Sequence, residues 1–227
     1  MTLALAGVIP VFGQNSTVSK FLVVFDVDST LIKDEVIELL AEVAGKRDEV
    51  AEVTERAMRG ELDFAQSLVQ RVQVLSGLPE SVFIDVFGRI QPTLGVQETI
   101  DAIHAAGGSV GAVSGGFTQV LDPLSLKLNL DFARANLLEV VDGRLTGRVL
   151  GGIVDRSVKA KTLLEWAEVL GVPTERTFAV GDGANDLEMM ATAGLGVAFN
   201  AKPVVREQAD VVIESLDLRD LLPFLGI

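Results

Sequence analysis

Two aspartate clusters, each directly after a short apolar run, constrain the fold more than any other feature. Asp26-Val27-Asp28-Ser29-Thr30 follows the run 21–25, and Gly181-Asp182-Gly183-Ala184-Asn185-Asp186 follows the run 177–180. Such runs are typical of buried parallel strands, and an open α/β sheet forms its binding crevice at the carboxyl ends of those strands. The pattern therefore predicts carboxylates gathered at one sheet edge, where they can hold a hard divalent cation or attack an electrophile.

The rest of the chain predicts an α/β fold with a helical insertion. After the first strand, residues 35–90 contain only helical patterns, at 36–44, 49–58, 64–75 and 80–90, separated by glycine and proline. From residue 95 strands and helices alternate again, with a hairpin around Asp142-Gly143. We therefore predict a Rossmann-like parallel-sheet core from residues 20–34 and 91–227, a small four-helix cap from residues 35–90, and an N-terminal extension at 1–19.

Composition excludes several classes of function. The 227 residues are 48% hydrophobic and carry a formal net charge of −13, which argues against a nucleic-acid-binding surface. The sequence contains no cysteine, so any metal must be bound by oxygen ligands, as suits a reducing cytoplasm. The apolar segment 1–14 lacks the basic residues that open a secretory signal, and no run is long enough to span a bilayer. We expect a cytoplasmic protein without membrane or nucleic-acid partners, as a monomer or homodimer.

Four motifs resemble, in order, those of the haloacid dehalogenase superfamily. They are the Asp26–Thr30 run, the turn Ser114-Gly115-Gly116, Lys159, and the Gly181–Asp186 run. Within the superfamily the match is closest to the subgroup that hydrolyses phosphoserine. This match rests on Glu35, which follows the first motif at that subgroup's spacing, and on Phe64-Ala65-Gln66-Ser67-Leu68 followed by Arg71.

The resemblance implies a Mg²⁺-dependent phosphatase that works through an aspartyl-phosphate. Asp26 is the expected nucleophile, and Asp28 is the expected acid that protonates the leaving oxygen and later the base that activates water. The metal ligands would be the Asp26 carboxylate, the Asp28 main-chain carbonyl and the Asp182 carboxylate, with Asp186 in support.

Binding of the substrate is expected to involve both the core and the cap. Ser114, Gly115 and Asn185 would hold the phosphoryl oxygens, and Lys159 would supply the positive charge, with Lys161 as the alternative. In the cap, Glu35 would bind the ammonium of O-phospho-L-serine and Arg71 its carboxylate. Met58 and Phe64 would form the apolar wall, although both are equally consistent with the hydrophobic core of the cap.

The implied function is hydrolysis of O-phospho-L-serine, the final step of L-serine biosynthesis, but other functions remain open. A phosphotransferase of the same subgroup would pass the phosphoryl group to an alcohol such as homoserine, and a related phosphatase would act on another small phosphomonoester. A non-catalytic protein that binds phospho-amino acids belongs to a different class, and the presence of both Asp26 and Asp28 counts against it. The single histidine, His104, lies in an apolar helical pattern and is expected to pack, so a histidine-based mechanism has little support.

Overall fold

The computed structural model describes residues 19–58 and 61–227, without the side chains of residues 55, 57 and 58. The extension predicted at residues 1–19, except for Ser19, lies outside the described residues, as do Gly60 and the side chain of Met58.

A seven-stranded sheet forms the centre of the described part of the molecule, in the order β4-β3-β2-β1-β5-β6-β7. The strands are β1 (Leu22–Phe25), β2 (Ser109–Phe117), β3 (Phe132–Val141), β4 (Arg144–Leu150), β5 (Thr177–Gly181), β6 (Leu195–Phe199) and β7 (Val211–Ile213). All neighbouring pairs are parallel except β3 and β4, which form the antiparallel hairpin at one edge. The predicted α/β class with a mostly parallel sheet is confirmed.

Helices occupy the connections between the strands. They are α1 (Val36–Val43), α2 (Arg47–Met58), α3 (Phe64–Val74), α4 (Val82–Arg89), α5 (Val96–Ala105), α6 (Thr118–Leu128), α7 (Arg156–Leu170), α8 (Leu187–Thr192), α9 (Pro203–Arg206) and α10 (Leu222–Leu225). The first four lie in the chain between β1 and β2, as predicted, whereas the domain boundaries at residues 35 and 90 stay a prediction. Within the described ranges, no helix is both long and apolar enough to cross a membrane.

Strand β1 packs on both of its faces, which explains its uninterrupted apolar sequence. Val23 and Phe25 belong to the hydrophobic cluster on one side of the sheet, and Leu22 and Val24 belong to the cluster on the other. All four side chains are fully buried. Because successive side chains of a strand point to opposite faces, a strand covered on both sides must be apolar at every position.

Two local predictions can be compared directly with the structure. The hairpin is confirmed, because Asp142 (φ 50°) and Gly143 (φ 71°) both adopt the left-handed conformation that a type I′ turn requires. The turn predicted at Ser114-Gly115-Gly116 is wrong in its boundary. Strand β2 continues through these residues to Phe117, with its register against β3 shifting between Val113 and Phe117.

Candidate active site

The carboxyl ends of β1 and β5 bring the two aspartate clusters together. These strands pair in parallel, and the main-chain N–H of Asp26 donates to the carbonyl of Val180 over 2.8 Å. Asp26, Asp182 and Asp186 are all buried, and each offers a carboxylate oxygen within 4.8 Å of the other two. Two clusters far apart in the sequence therefore form one acidic centre at the sheet edge.

Lys159 lies in the middle of this centre. Its Nζ donates to Asp26 Oδ1 over 2.6 Å and to Asp186 Oδ1 over 2.7 Å, and its side chain is fully buried. Burial alone would lower the pKa of Lys159, but the charges of Asp186 and Asp26 outweigh burial and raise it. Lys161, the alternative considered from sequence, is exposed two residues further along α7. The structure therefore brings Lys159, and not Lys161, to the aspartates.

Asp186 supports this arrangement with both of its oxygens. While Oδ1 accepts from Lys159, Oδ2 accepts from the main-chain N–H of Gly183 over 3.0 Å. The carboxylate packs against Gly181, where an added Cβ would collide with it. Asp186 is therefore better placed to orient Lys159 than to give an oxygen to a ligand.

The carboxylate oxygens of this centre that accept no hydrogen bond could bind a divalent cation. Across residues 19–58 and 61–227, neither the Asp182 carboxylate nor Asp26 Oδ2 accepts a hydrogen bond. The three carboxylates and one ammonium have a formal charge of −3 + 1 = −2, which a divalent cation would neutralise. Burial, followed by the charge of Asp186, raises the pKa of Asp26 to about 7 and that of Asp182 to about 6. A cation bound beside these carboxylates would act against both increases, because a nearby positive charge favours the charged form of a carboxyl group.

Asp28 lies in an irregular turn, Val27–Leu31, that follows β1 after Asp26 and is not helical at Asp28 or Ser29. The turn depends on Ser29, whose backbone adopts the left-handed conformation (φ 57°). Asp28 Oδ2 accepts from the main-chain N–H of Val36 over 3.3 Å, whereas Oδ1 is buried without a partner. Burial, with the nearby charges of Glu35 and Asp26, raises the pKa of Asp28 well above its usual range. Such a group is suited to carry a proton and to release it to a substrate.

The irregular end of β2 lies at the same edge of the sheet, where residues 114–117 line a cavity. The main-chain N–H of Gly116 donates to Ser114 Oγ over 2.8 Å. Asn136 of β3 fixes this segment: its Nδ2 donates to the carbonyl of Gly115 over 2.8 Å, and its Oδ1 accepts from Val154 N over 2.8 Å. The sequence analysis missed Asn136. An amide within an otherwise strand-like stretch was the only signal, because its partners are distant in the chain.

A cavity of about 880 Å³ lies over this centre. From the core it is lined by Asp26, Asp28, Ser114, Gly115, Asp182 and Asn185, and from the inserted helices by Glu35, Phe64, Ser67 and Arg71. Nine of the twelve residues predicted for the site therefore line one cavity. Lys159 and Asp186 do not line it, and the side chain of Met58 lies outside the described residues. Arg156 and Lys202 also line the cavity, and sequence reasoning missed both because isolated surface cations carry no motif.

The helical side of the cavity carries opposite charges. Glu35 accepts a hydrogen bond from Ser29 Oγ over 2.8 Å. Burial lowers the pKa of Arg71, and the charges of Glu35 and Asp28 act against that decrease. Phe64 lies against the floor of the cavity, because a Cβ placed on Gly115 would be 2.9 Å from its Cζ. The cavity therefore joins an acidic floor that could hold a metal to a wall that carries Glu35, Asp63 and Arg71.

Comparison with known proteins agrees with this geometry. The family model described as haloacid dehalogenase-like hydrolase matches residues 22–194. The chain belongs to the haloacid dehalogenase-like hydrolase family. Within this hydrolase family, the chain is 59% identical over 206 residues to a phosphoserine phosphatase of Streptomyces coelicolor, covering 91% of the chain and 50% of the relative. It is 52% identical over 206 residues to that of Streptococcus thermophilus, covering 91% of the chain and 96% of the relative.

A solved member of the hydrolase family has a closely similar fold. The structure of a phospho-aspartyl intermediate analogue of a phosphoserine phosphatase matches with a TM-score of 0.86 and 44% identity, covering 91% of this chain and 99% of that one. The chain spans about half the length of some relatives, 50% for Streptomyces coelicolor and 51% for Mycobacterium tuberculosis. The resemblance predicted from the motifs is confirmed.

Proposed function

We propose that this chain is a Mg²⁺-dependent phosphoserine phosphatase that converts O-phospho-L-serine and water to L-serine and phosphate, the final step of L-serine biosynthesis, in the cytoplasm. One observation carries the proposal: the Asp26 carboxylate, fixed by Lys159, opens into the same cavity as Glu35 and Arg71. The relatives named phosphoserine phosphatase support the choice of substrate.

Mg²⁺ would be held by the Asp26 carboxylate, the main-chain carbonyl of Asp28 and the Asp182 carboxylate. The fit rests on the unpaired oxygens of Asp26 and Asp182 and on the net negative charge of the centre. When bound, the ion neutralises charge on the phosphoryl oxygens. Asp186 contributes indirectly, because it holds Lys159 against the nucleophile.

The first half of the reaction transfers the phosphoryl group to the protein. One oxygen of Asp26 attacks phosphorus, and the bond between phosphorus and the serine oxygen breaks. Asp28 donates its proton to that departing oxygen, which leaves as the hydroxyl of L-serine. The raised pKa of Asp28 keeps the proton available for this step. Lys159, Ser114, Asn185 and the main-chain N–H of Gly115 stabilise the negative charge on the phosphoryl oxygens.

The second half returns the protein to its starting state. Asp28, now a carboxylate, takes a proton from water while the water oxygen attacks phosphorus. The bond between phosphorus and Asp26 breaks, phosphate leaves, and Asp26 is again a carboxylate. The same residue thus acts first as acid and then as base.

Specificity would come from the helical side of the cavity. Glu35 is placed to bind the ammonium group of the substrate and Arg71 its carboxylate. Residues 35–90 would act as a cap over the core, with Phe64 and Met58 excluding water from the reacting groups. The contact between Phe64 and Gly115 is where this cap meets the core.

A substrate panel tests the proposal. Phosphate release is measured from L-phosphoserine, phosphothreonine, sugar phosphates and an aryl phosphate, with Mg²⁺ and with chelator. We expect Mg²⁺-dependent activity that strongly prefers L-phosphoserine. Equal activity on all substrates would reject the roles of Glu35 and Arg71, and activity unaffected by chelator would reject the metal. Adding homoserine and assaying phosphohomoserine distinguishes hydrolysis from phosphoryl transfer.

A further inference from the structure

Ser67 is a buried cavity residue whose side chain lacks a partner. It lies in α3, is 3% exposed, and lines the cavity over Asp26. Its main-chain N–H donates to the carbonyl of Asp63 over 2.9 Å, but within the described ranges its hydroxyl makes no hydrogen bond. Most buried hydroxyls in helices donate to a carbonyl four residues earlier, as Thr54 does to Val50 over 2.9 Å in the neighbouring α2. Ser67 Oγ is not among the enclosed unpaired atoms of the described residues, so it is open to the cavity and available to a ligand.

Arg71 fixes which part of a ligand lies beside Ser67. The two residues are four apart on α3 and so share one face of the helix. Arg71 Nε is 3.4 Å from the carbonyl of Ser67, while its two terminal nitrogens make no hydrogen bond to any described residue. The cavity wall therefore offers a guanidinium and a hydroxyl side by side. A carboxylate has two oxygens that can accept from both donors at once.

We propose that the Ser67 hydroxyl donates a hydrogen bond to the α-carboxylate of phosphoserine, beside Arg71, and helps to determine specificity. This assignment rests on the proposed function. Glu35 would still bind the ammonium, since the other acid on this side of the cavity, Asp63, caps α3 by accepting from the main-chain N–H of Gln66. Ser67 would then bind a part of the substrate that does not react. Such a contact stabilises the ground state and the transition state equally, so its loss changes KM and leaves kcat unchanged.

The test compares Ser67→Ala with Thr54→Val on two substrates. L-phosphoserine has the carboxylate, whereas O-phosphoethanolamine keeps the ammonium and the phosphate but lacks the carboxylate. Thr54→Val is the matched control, because it also removes a hydroxyl from a cavity-lining residue, but one already bonded within its own helix. Thermal unfolding of both variants is followed to establish that they fold as the unsubstituted protein does.

For Ser67→Ala we expect KM for L-phosphoserine to rise about tenfold, as for loss of one hydrogen bond to a charged group, with kcat within twofold. Its kcat/KM for O-phosphoethanolamine, and both parameters of Thr54→Val, should stay unchanged. An unchanged KM for L-phosphoserine would overturn the assignment. So would equal losses on both substrates, which indicate a packing role. If the unsubstituted protein failed to hydrolyse L-phosphoserine, the proposed function would fall, and this assignment with it.

Discussion

At the scale of single residues, Lys159 is the group on which the site depends most. It is a fully buried cation held between two buried carboxylates, so its removal leaves like charges adjacent with no compensation. A buried ion pair is costly to break because the remaining charges are already removed from water. In the proposed reaction the same ammonium would also stabilise the phosphoryl group, so stability and catalysis would both depend on one side chain.

Lys159→Met should therefore lower the free energy of unfolding by about 3 kcal/mol and reduce kcat by about a hundredfold or more. Urea denaturation at pH 7 in chelator measures the first effect, and phosphate release with Mg²⁺ measures the second. Lys161→Met is the matched control, because that lysine lies on the same helix and is exposed. If both variants behaved alike, the central role of Lys159 would be refuted.

Arg71→Ala tests the carboxylate site at its strongest donor. Because a buried charge-assisted pair contributes about 2 kcal/mol or more, we expect KM for L-phosphoserine to rise roughly 30-fold or more. KM for an aryl phosphate, which has no carboxylate, should change less than threefold. Steady-state kinetics on both substrates gives the comparison, and equal losses on the two would remove Arg71 from this role.

At the scale of elements, the connection from β5 to α8 positions the acidic centre through close packing. Gly181 ends β5 where only a hydrogen leaves room for the Asp186 carboxylate, which in turn orients Lys159. A glycine that offers no side chain to a ligand thereby determines the geometry around Asp26.

Gly181→Ala should displace Asp186, lower the free energy of unfolding by about 1–3 kcal/mol, and reduce kcat at least tenfold. Gly88→Ala provides the contrast. Gly88 lies exposed in α4 with no atom near an added Cβ, so alanine should stabilise the protein by about 0.5–1 kcal/mol. Denaturant unfolding of both variants measures these changes. Full activity in Gly181→Ala would contradict the packing argument.

The contact between α5 and the start of β3 makes stability depend on pH. His104 Nε2 lies 3.0 Å from Asp131 Oδ2, so His104 is paired and not simply packed as the sequence indicated. The hydrogen bond to Asp131 raises the pKa of His104 above 6.5. Partial burial acts against this increase, and the negative charges of Asp131 and Asp101 add to it. A raised folded-state pKa means that the stabilisation is complete below pH 6.5 and is lost as pH rises through the folded value.

Because His104 is the only histidine, its NMR titration is unambiguous. We expect a midpoint above 6.5 that Asp131→Asn shifts down towards 6.5, while Asp101→Asn shifts it much less. Asp131→Asn should also reduce the loss of stability between pH 6 and pH 8. A midpoint unaffected by Asp131→Asn would show that the pair contributes nothing in solution.

Secondary structure could be predicted from the sequence where neighbouring residues alone determine it. The apolar run before Asp26 and the Asp142-Gly143 turn each follow from local chemistry. By contrast, the apolar pattern before the Asp142-Gly143 turn predicts a strand only from Leu137 to Val141, whereas β3 begins at Phe132. The polar residues Arg134 and Asn136 interrupt the apolar pattern of its first half. Those polar residues are satisfied by distant partners, Thr162 in one case and Gly115 in the other, and no local signal reveals them.

At the scale of the whole molecule, the site lies between the sheet edge and the inserted helices. The chain has a net charge of −13, yet Arg71, Arg156 and Lys202 all line the cavity. Six acidic residues line the same cavity, so the three cations offset only part of its negative charge. In the proposed reaction, a divalent cation at the acidic floor would offset the remaining negative charge and allow the phosphate group to bind there.

The most direct test of this account is phosphate release from L-phosphoserine with Mg²⁺ by the Asp26→Asn variant. The amide keeps the shape of the side chain, and Lys159 can still donate to its oxygen, so folding should be retained by circular dichroism. Because an amide cannot serve as the nucleophile, we expect kcat to fall by about 10⁴-fold or more. If a folded Asp26→Asn kept kcat within tenfold of the unsubstituted protein, Asp26 would not be the residue that accepts the phosphoryl group.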